Sequence, residues 1–306
     1  MAMEGTMRVH SRMRTAATWG ALAVVGALAL SGCVDSAAPE GEATTPVEEF
    51  TPVPYDEGTT MAALAEAGTI TIGTKFTQPL FGLAGPDGIP VGFDVEIGKI
   101  IAMNLGIDAA DIEWKETVSA NREPFIQSGE VDIVIATYTI NDTRKQVVSF
   151  AGPYYEAGQD IMVAAGNPEG VTGPDWFTEN PDAVVCTVNG STSLTNISEY
   201  TSNILAAADY ADCLEPIRTG QAVAVTTDNV ILAGLAAQNE GEFEVLGETF
   251  TAEPYGIGLA LDDEAFRMWI NDVLEQAYED GSWDAAWEAT AGTVLDLPEP
   301  PAVDRY

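Results

Sequence analysis

Two observations predict an α/β fold. Short β-branched runs alternate with helical patterns from Gly58 onward, and turn residues separate them. Residues 69–74 alternate β-branched side chains and make the first strand. After the turn Pro86-Asp87-Gly88, Phe93-Asp94 opens an amphipathic helix. Asp94 is its expected cap, Val95, Ile97, Ile100, Ile101 and Leu105 its apolar face, and Gly106 its stop. Residues 121–128 make a short helix with Pro124 in the first turn, ended by Gly129. The apolar run 131–136 is a strand, and so is 183–188, after which Gly190-Ser191-Thr192 turns into a helix. Strand 222–225 ends at Thr226-Thr227-Asp228, before a helix over 230–238. Strand 257–261, the long helix 264–280 and the aromatic helix 282–289 follow. Trp269, Trp283 and Trp287 are assigned to core or docking contacts.

The 306 residues suffice for two lobes of ordinary size. The 48 acids against 12 bases repel nucleic acid and anionic membranes. The single histidine, His10, falls in a segment read as removed. The mature chain then has no Ser-His-Asp or Cys-His catalysis and no His-ligated metal. The three cysteines are too few for a structural zinc site. No cofactor, catalytic residue or metal is expected.

Residues 1–32 read as an export signal. Arg8, Arg12 and Arg14 precede an apolar stretch over 16–30, too short for an ordinary membrane span. It ends in Leu30-Ser31-Gly32-Cys33, which resembles a lipobox, so Cys33 is the expected lipid attachment point. Residues 33–57, rich in Pro, Thr, Ala and Glu, read as a disordered tether. Export places Cys186 and Cys213 in an oxidising compartment, where a disulfide is favoured over two buried thiols. In the chain-entropy picture a loop of about 28 residues is worth roughly 3–4 kcal/mol.

After strand 131–136 come three hydroxyls, Thr137, Tyr138 and Thr139, and then Arg144. A guanidinium offers a planar two-pronged fork for a carboxylate, and hydroxyls complete its surroundings. A zwitterionic α-amino acid also needs an anion for its ammonium, and Asp228 fits that task. Plainer readings are a surface arginine at a turn and an aspartate capping a helix. Gly190-Ser191-Thr192 opens a helix N-terminus, where anions are readily accepted; a simple cap is the alternative.

The run 131–155, VDIVIATYTINDTRKQVVSFAGPYY, closely resembles the signature of bacterial extracellular solute-binding proteins for polar amino acids. The motif GQAVAVTTD, ending at Asp228, matches the position of that family's ammonium-binding acid. The resemblance covers roughly residues 69–291. It implies a two-lobed periplasmic-binding-protein fold of type II with two crossing hinge strands. Lobe 1 would hold 58–158 and 253–297, and lobe 2 would hold 159–252. The hinge segments would be 159–164 and 252–256, and 298–306 a C-terminal tail. Arg144, Thr139, Thr137 and Thr192 would hold the α-carboxylate, and Asp228 with Thr137 the ammonium.

The same resemblance addresses the ligand's side chain. Ser119-Ala120-Asn121-Arg122 is similar to the S-x-N-R run of glutamate/aspartate binders, whose Ser and Arg contact the ligand. Lys75 stands where those members carry an arginine, and keeps the charge without the fork. Ser191 and Gln78 complete the expected side-chain contacts, while Phe93, Phe76, Tyr154 and Tyr155 are by default packing residues. Alternatively, Arg122 pairs with Glu123 or Glu116, and Lys75 is solvated. Tyr210 loosely takes the place of a histidine of the Gram-negative binders. The lipobox and the cysteine pair point to lipoprotein glutamate binders of actinobacteria.

The function implied is a monomeric, lipid-anchored, non-enzymatic receptor on the outer face of the cell membrane. It would bind L-glutamate, with aspartate open, and deliver it to an ABC permease and its ATPase. Glutamine or asparagine binding, a sensory role through a membrane partner, and a carboxylate-dependent dehydratase or transglycosylase are the competing readings.

Overall fold

The computed structural model describes residues Phe50–Tyr306. The expected export signal, lipid attachment at Cys33 and most of the tether lie outside these residues.

In chain order the elements are α1 (Thr60–Ala67), β1 (Ile70–Thr74), β2 (Thr77–Gln78), β3 (Gly82–Ala84), β4 (Pro90–Val91) and α2 (Phe93–Asn104). Then come β5 (Ile112–Glu116), α3 (Arg122–Ser128), β6 (Ile133–Val134), β7 (Ser149–Ala157) and β8 (Gln159–Ala164). Next are α4 (Asp175–Glu179), β9 (Val185–Val188), α5 (Thr192–Ile197), β10 (Ile204–Ala207), α6 (Leu214–Arg218) and β11 (Ala224–Asp228). The chain closes with α7 (Asn229–Gln238), β12 (Phe243–Val245), β13 (Glu253–Leu259), α8 (Glu264–Asp280) and α9 (Ser282–Glu288).

Two five-stranded sheets share no strand. Their orders are β5-β1-β6-β13-β7 and β10-β9-β11-β8-β12. Each begins with three parallel strands and ends with an antiparallel pair. A small antiparallel sheet, β2-β3-β4, links β1 to α2. This is the two-lobed architecture. The chain crosses at Gly158, between β7 and β8, and again between β12 and β13. The crossings touch: Gln159 N–H donates to Thr251 Oγ1 (3.0 Å) and Phe250 N–H to Gln159 O (2.9 Å). A Cβ on Gly158 would lie 2.6 Å from Thr249 Cβ, so only glycine lets them pass. The expected hinge segment 159–164 forms β8 of the second sheet, paired with β11 and β12.

The first lobe is anchored by aromatic rings. Phe81, Phe93, Tyr154, Tyr155, Tyr255, Trp283 and Trp287 pack edge-on, tilted or stacked, with centroids 5.0–6.4 Å apart. Burying each such side chain is worth about 1.5–3 kcal/mol. Phe93, Tyr154 and Tyr155 are therefore packing residues, and Trp269 is buried against the N-terminal segment.

Both ends of the described chain lie against this lobe. Residues 50–57 were expected within the tether, yet Val53 is buried. Its N–H donates to Asn104 Oδ1, and its carbonyl accepts from Trp269 Nε1. At the other end Asp304 N–H donates to Gly152 O, and Phe150 N–H to the Tyr306 hydroxyl. Proline-rich composition hid the N-terminal contact, since one buried valine leaves no periodic signal.

Strand 131–136 shrinks to Ile133–Val134, the two residues with ladder partners on both sides, β1 and β13. Strand 222–225 runs on to Asp228, paired residue by residue with β8. Asp94 is not a cap. Gly92 holds that position, and the Asp94 carboxylate turns inward.

Cys186 and Cys213 form the expected disulfide, with Cα atoms 5.6 Å apart. It ties β9 to the turn before α6. Replacing both cysteines by serine should lower unfolding stability by about 3–4 kcal/mol. Urea denaturation of the oxidised protein and the double variant measures this difference.

Candidate functional site

The site grows from the way the chain leaves β6. Thr137 adopts a left-handed backbone, φ 43°, which a β-branched residue tolerates only under constraint. Asp94 supplies that constraint. Its Oδ2 accepts the Thr137 N–H (2.9 Å), and its Oδ1 accepts the Tyr154 hydroxyl (2.6 Å). Gln78 Nε2 donates to Thr137 Oγ1 (3.2 Å). The bend turns the carbonyls of Ala136 and Thr137 toward Arg122 Nη1, at 3.2 and 3.3 Å.

Three cations are buried together. Lys75, Arg122 and Arg144 are 3%, 3% and 7% exposed. Lys75 Nζ donates to Ser119 Oγ (2.9 Å). Both guanidinium groups lie over the Tyr138 ring, at 4.3 and 5.0 Å from its centroid. Among the described residues Arg122 has no ion-pair partner, and it gives its N–H groups to carbonyls of Ser119, Ala136, Thr137 and Gly190. Arg144 is the one that meets Glu123, through Nε at 3.0 Å. Its Nη1 donates to Thr139 O (2.7 Å) and its Nη2 to Gly190 O (3.2 Å). The alternative pairing of Arg122 with Glu123 or Glu116, and a solvated Lys75, are thus not what the structure has.

Burial, then the Arg122 charge, pushes the Lys75 ammonium down to about 7. Burial, then Arg144, lowers Arg122 to about 10. These cations repel one another, and their hydrogen bonds go mainly to neutral groups.

The second lobe supplies the facing wall. Ser191 caps α5: its Oγ accepts from Leu194 N and donates to Val188 O, so its hydroxyl is occupied. Thr192 Oγ1 stands 3.4 Å from Thr139 Oγ1 across the lobes. Gly190 has φ +74°, and a Cβ there would lie 2.7 Å from Ala120 Cα. Only glycine brings its carbonyl to both arginines.

Asp228 stands at the N-cap position of α7 but makes no capping bond. Its Oδ2 accepts the Tyr255 hydroxyl (2.6 Å), and its buried Oδ1 has no partner. Burial, then the Glu253 charge, pushes its carboxyl up to about 7, against the opposing pull of Tyr255, Arg122 and Arg144.

Ser119, Arg122, Thr137, Thr139, Ser191, Thr192 and Asp228 line one small, nearly closed cavity. Arg144 lines the wider outer cleft, which shares Thr139, Ser191 and Thr192 with the cavity. Lys75 and Gln78 stand behind the wall and reach it through Ser119 and Thr137. Ser193, Tyr210 and Ile231 also line the cavity. Only Tyr210 carried a signal, through the loose match to a histidine. Tyr255 and Asp94 were missed as site residues, and so was the Gly190 carbonyl as acceptor for both arginines, because these contacts join elements far apart in sequence. No group of three or more His, Cys, Asp or Glu among the described residues could hold a metal.

Comparisons with known proteins fit this geometry. The family model for bacterial extracellular solute-binding proteins, family 3, matches residues 70–289. A glutamate-binding protein, GluB, of Corynebacterium efficiens is 39% identical over 237 residues, covering 74% of this chain and 80% of the relative. An ABC transporter glutamine-binding protein, GlnH, of Bacillus subtilis is 36% identical over 234 residues, covering 75% and 83%. The structure of an ancestral arginine-binding protein bound to arginine superposes with a TM-score of 0.67 at 32% identity, covering 73% of this chain and 98% of that one.

Asp228 also makes a prediction about stability. Its folded carboxyl keeps its proton to about 7, against 3.8 ordinarily. The stability it contributes is complete below 3.8 and is lost as pH rises through about 7. In ligand-free protein, Asp228→Asn should therefore raise the unfolding temperature at pH 8, and the gain should vanish near pH 4. Calorimetric melting across that range measures both.

Proposed function

Because the chain belongs to the bacterial extracellular solute-binding proteins, family 3, we propose that it captures L-glutamate outside the cell and hands it to an ABC importer. The observation that carries this reading is the buried group Lys75, Arg122 and Arg144, together with the unpartnered buried oxygen of Asp228, whose charge Arg122 and Arg144 favour. A ligand with two carboxylates and one ammonium supplies what these groups lack. Arg144 takes the α-carboxylate together with Thr139, Thr137 and Thr192. The anion replaces the neutral Gly190 carbonyl as its acceptor, which strengthens the bonds. Asp228, with Thr137, takes the ammonium. Arg122, Lys75, Ser119, Ser191 and Gln78 recognise the distal carboxylate, directly or through the residues they position.

A neutral amide in that place leaves two buried cations uncompensated, at a cost on the order of 1–3 kcal/mol. Glutamate is preferred over glutamine on this ground, and GluB is a relative named for glutamate binding. Aspartate is a second acceptable ligand. The lobes move about the touching crossings at Gly158 and Thr251. The protein works as a trap without covalent chemistry, held at the cell surface by a lipid on Cys33.

Titration calorimetry tests the reading. L-Glutamate should bind with a micromolar or lower Kd, about −8 kcal/mol or better. Arg144→Ala should abolish measurable binding. Arg122→Ala should weaken glutamate about tenfold or more while narrowing its advantage over glutamine. Equal affinity of the unaltered protein for glutamine would defeat the glutamate assignment.

A further inference from the structure

Asp228 is not alone behind the ammonium position. Glu253, the first residue of β13, is 2% exposed and lines the outer cleft. Its Oε1 accepts from Asn196 Nδ2 (3.0 Å) and Thr251 Oγ1 (2.8 Å). Its Oε2 is buried and accepts nothing. Among the described residues, Asp228 Oδ1 and Glu253 Oε2 are the two carboxylate oxygens in that condition. They belong to one neighbourhood. Glu253 and Tyr255 share a face of β13, two residues apart, and the Tyr255 hydroxyl holds Asp228. Asn196 also donates to the side chain of Gln159, whose backbone is the register partner of Asp228.

Two buried carboxylates with empty lone pairs repel each other and call for a cation between them. A primary ammonium has three N–H donors and can serve both. No cluster suited to a metal ion includes them. We propose that Glu253 is a second carboxylate of the ammonium seat, sharing the ligand's ammonium with Asp228 and selecting ligands with a fully charged primary amine. This rests on the reading of the cleft as an α-amino-acid site.

The other charged or titratable groups facing Asp228 are Arg122, Arg144, Tyr155, Tyr210 and Tyr255. Arg122 and Arg144 favour its charge, and only Glu253 among the carboxylates is a principal opponent of it. Losing Glu253's charge therefore has two effects of opposite sense. The ammonium loses one partner, while Asp228 keeps its own charge to lower pH.

The experiment is titration calorimetry on Glu253→Gln and the unaltered protein, with L-glutamate and L-glutamine, between about pH 5 and pH 9. Glutamine can keep the bonds from Asn196 and Thr251, so the change removes charge and little else. At pH 8 the variant should bind about tenfold or more weakly, the loss of one charge-assisted contact. Its acid limb, where affinity falls tenfold per pH unit, should move to lower pH. The titrations of Lys75 and Asp94 are common to both proteins. A second variant, Asn196→Ala, cuts the tie to Oε1 and leaves the charge, so its acid limb should stay where the unaltered protein has it. An unmoved acid limb in Glu253→Gln, or unchanged affinity at pH 8, overturns the inference while the amino-acid reading stands. Failure of the unaltered protein to bind either amino acid overturns that reading, and this inference with it.

Discussion

The bond between Asp94 and the Thr137 N–H sets the geometry on which the cleft depends. A carboxylate with no ion-pair partner lies fully buried between α2, the end of β6 and β7. Burial pushes it up to about 7, and the Thr137 and Tyr154 hydrogen bonds resist that rise. The bond holds a threonine in a left-handed bend. From that bend follow the carbonyls that fix Arg122, the position of Thr139, and through its carbonyl the seat of Arg144.

The electrostatics are arranged against the protein's own stability. Lys75 and Arg122 are each lowered by burial and a neighbouring cation, and Asp228 is raised by burial and Glu253. Hydrogen bonds to carbonyls and hydroxyls keep these groups in place without neutralising them. Such a site gains most from a ligand that brings opposite charges in the right order. The surface excess of acid does not set this. The 48 acids and 12 bases describe solubility, whereas Lys75, Arg122 and Arg144 with Glu123, Asp228 and Glu253 describe the cleft.

Much of this was legible in the residues. The alternation of strands and helices gave the layer architecture, and helix 264–280 appears with the expected boundaries. The cysteine pair needed only a compartment argument. Where local signals misled, a tertiary contact had overruled them. Asp94 reads as a cap from spacing alone, but its oxygens find better partners inside. Strand 131–136 is cut short because neighbouring strands are present on both sides only at Ile133 and Val134. Residues 50–57 read as tether because their composition lacks periodicity, although one valine and two backbone bonds suffice to dock them.

The sequence by itself determined which chemical groups the cleft could draw on: the TYT hydroxyls with Arg144, the S-x-N-R run, Lys75 and Asp228 after its strand. Each is a short motif whose meaning lies in residue type and local order. The tertiary structure decided how those groups are used. It placed Glu123 on Arg144 rather than Arg122, brought Gly190 to both arginines, and set Glu253 and Tyr255 around Asp228. Those pairings span from 21 to 68 positions along the chain, and nothing in either partner's local sequence announces the other. They exist because two sheets crossed at Gly158 bring distant strand ends to one place.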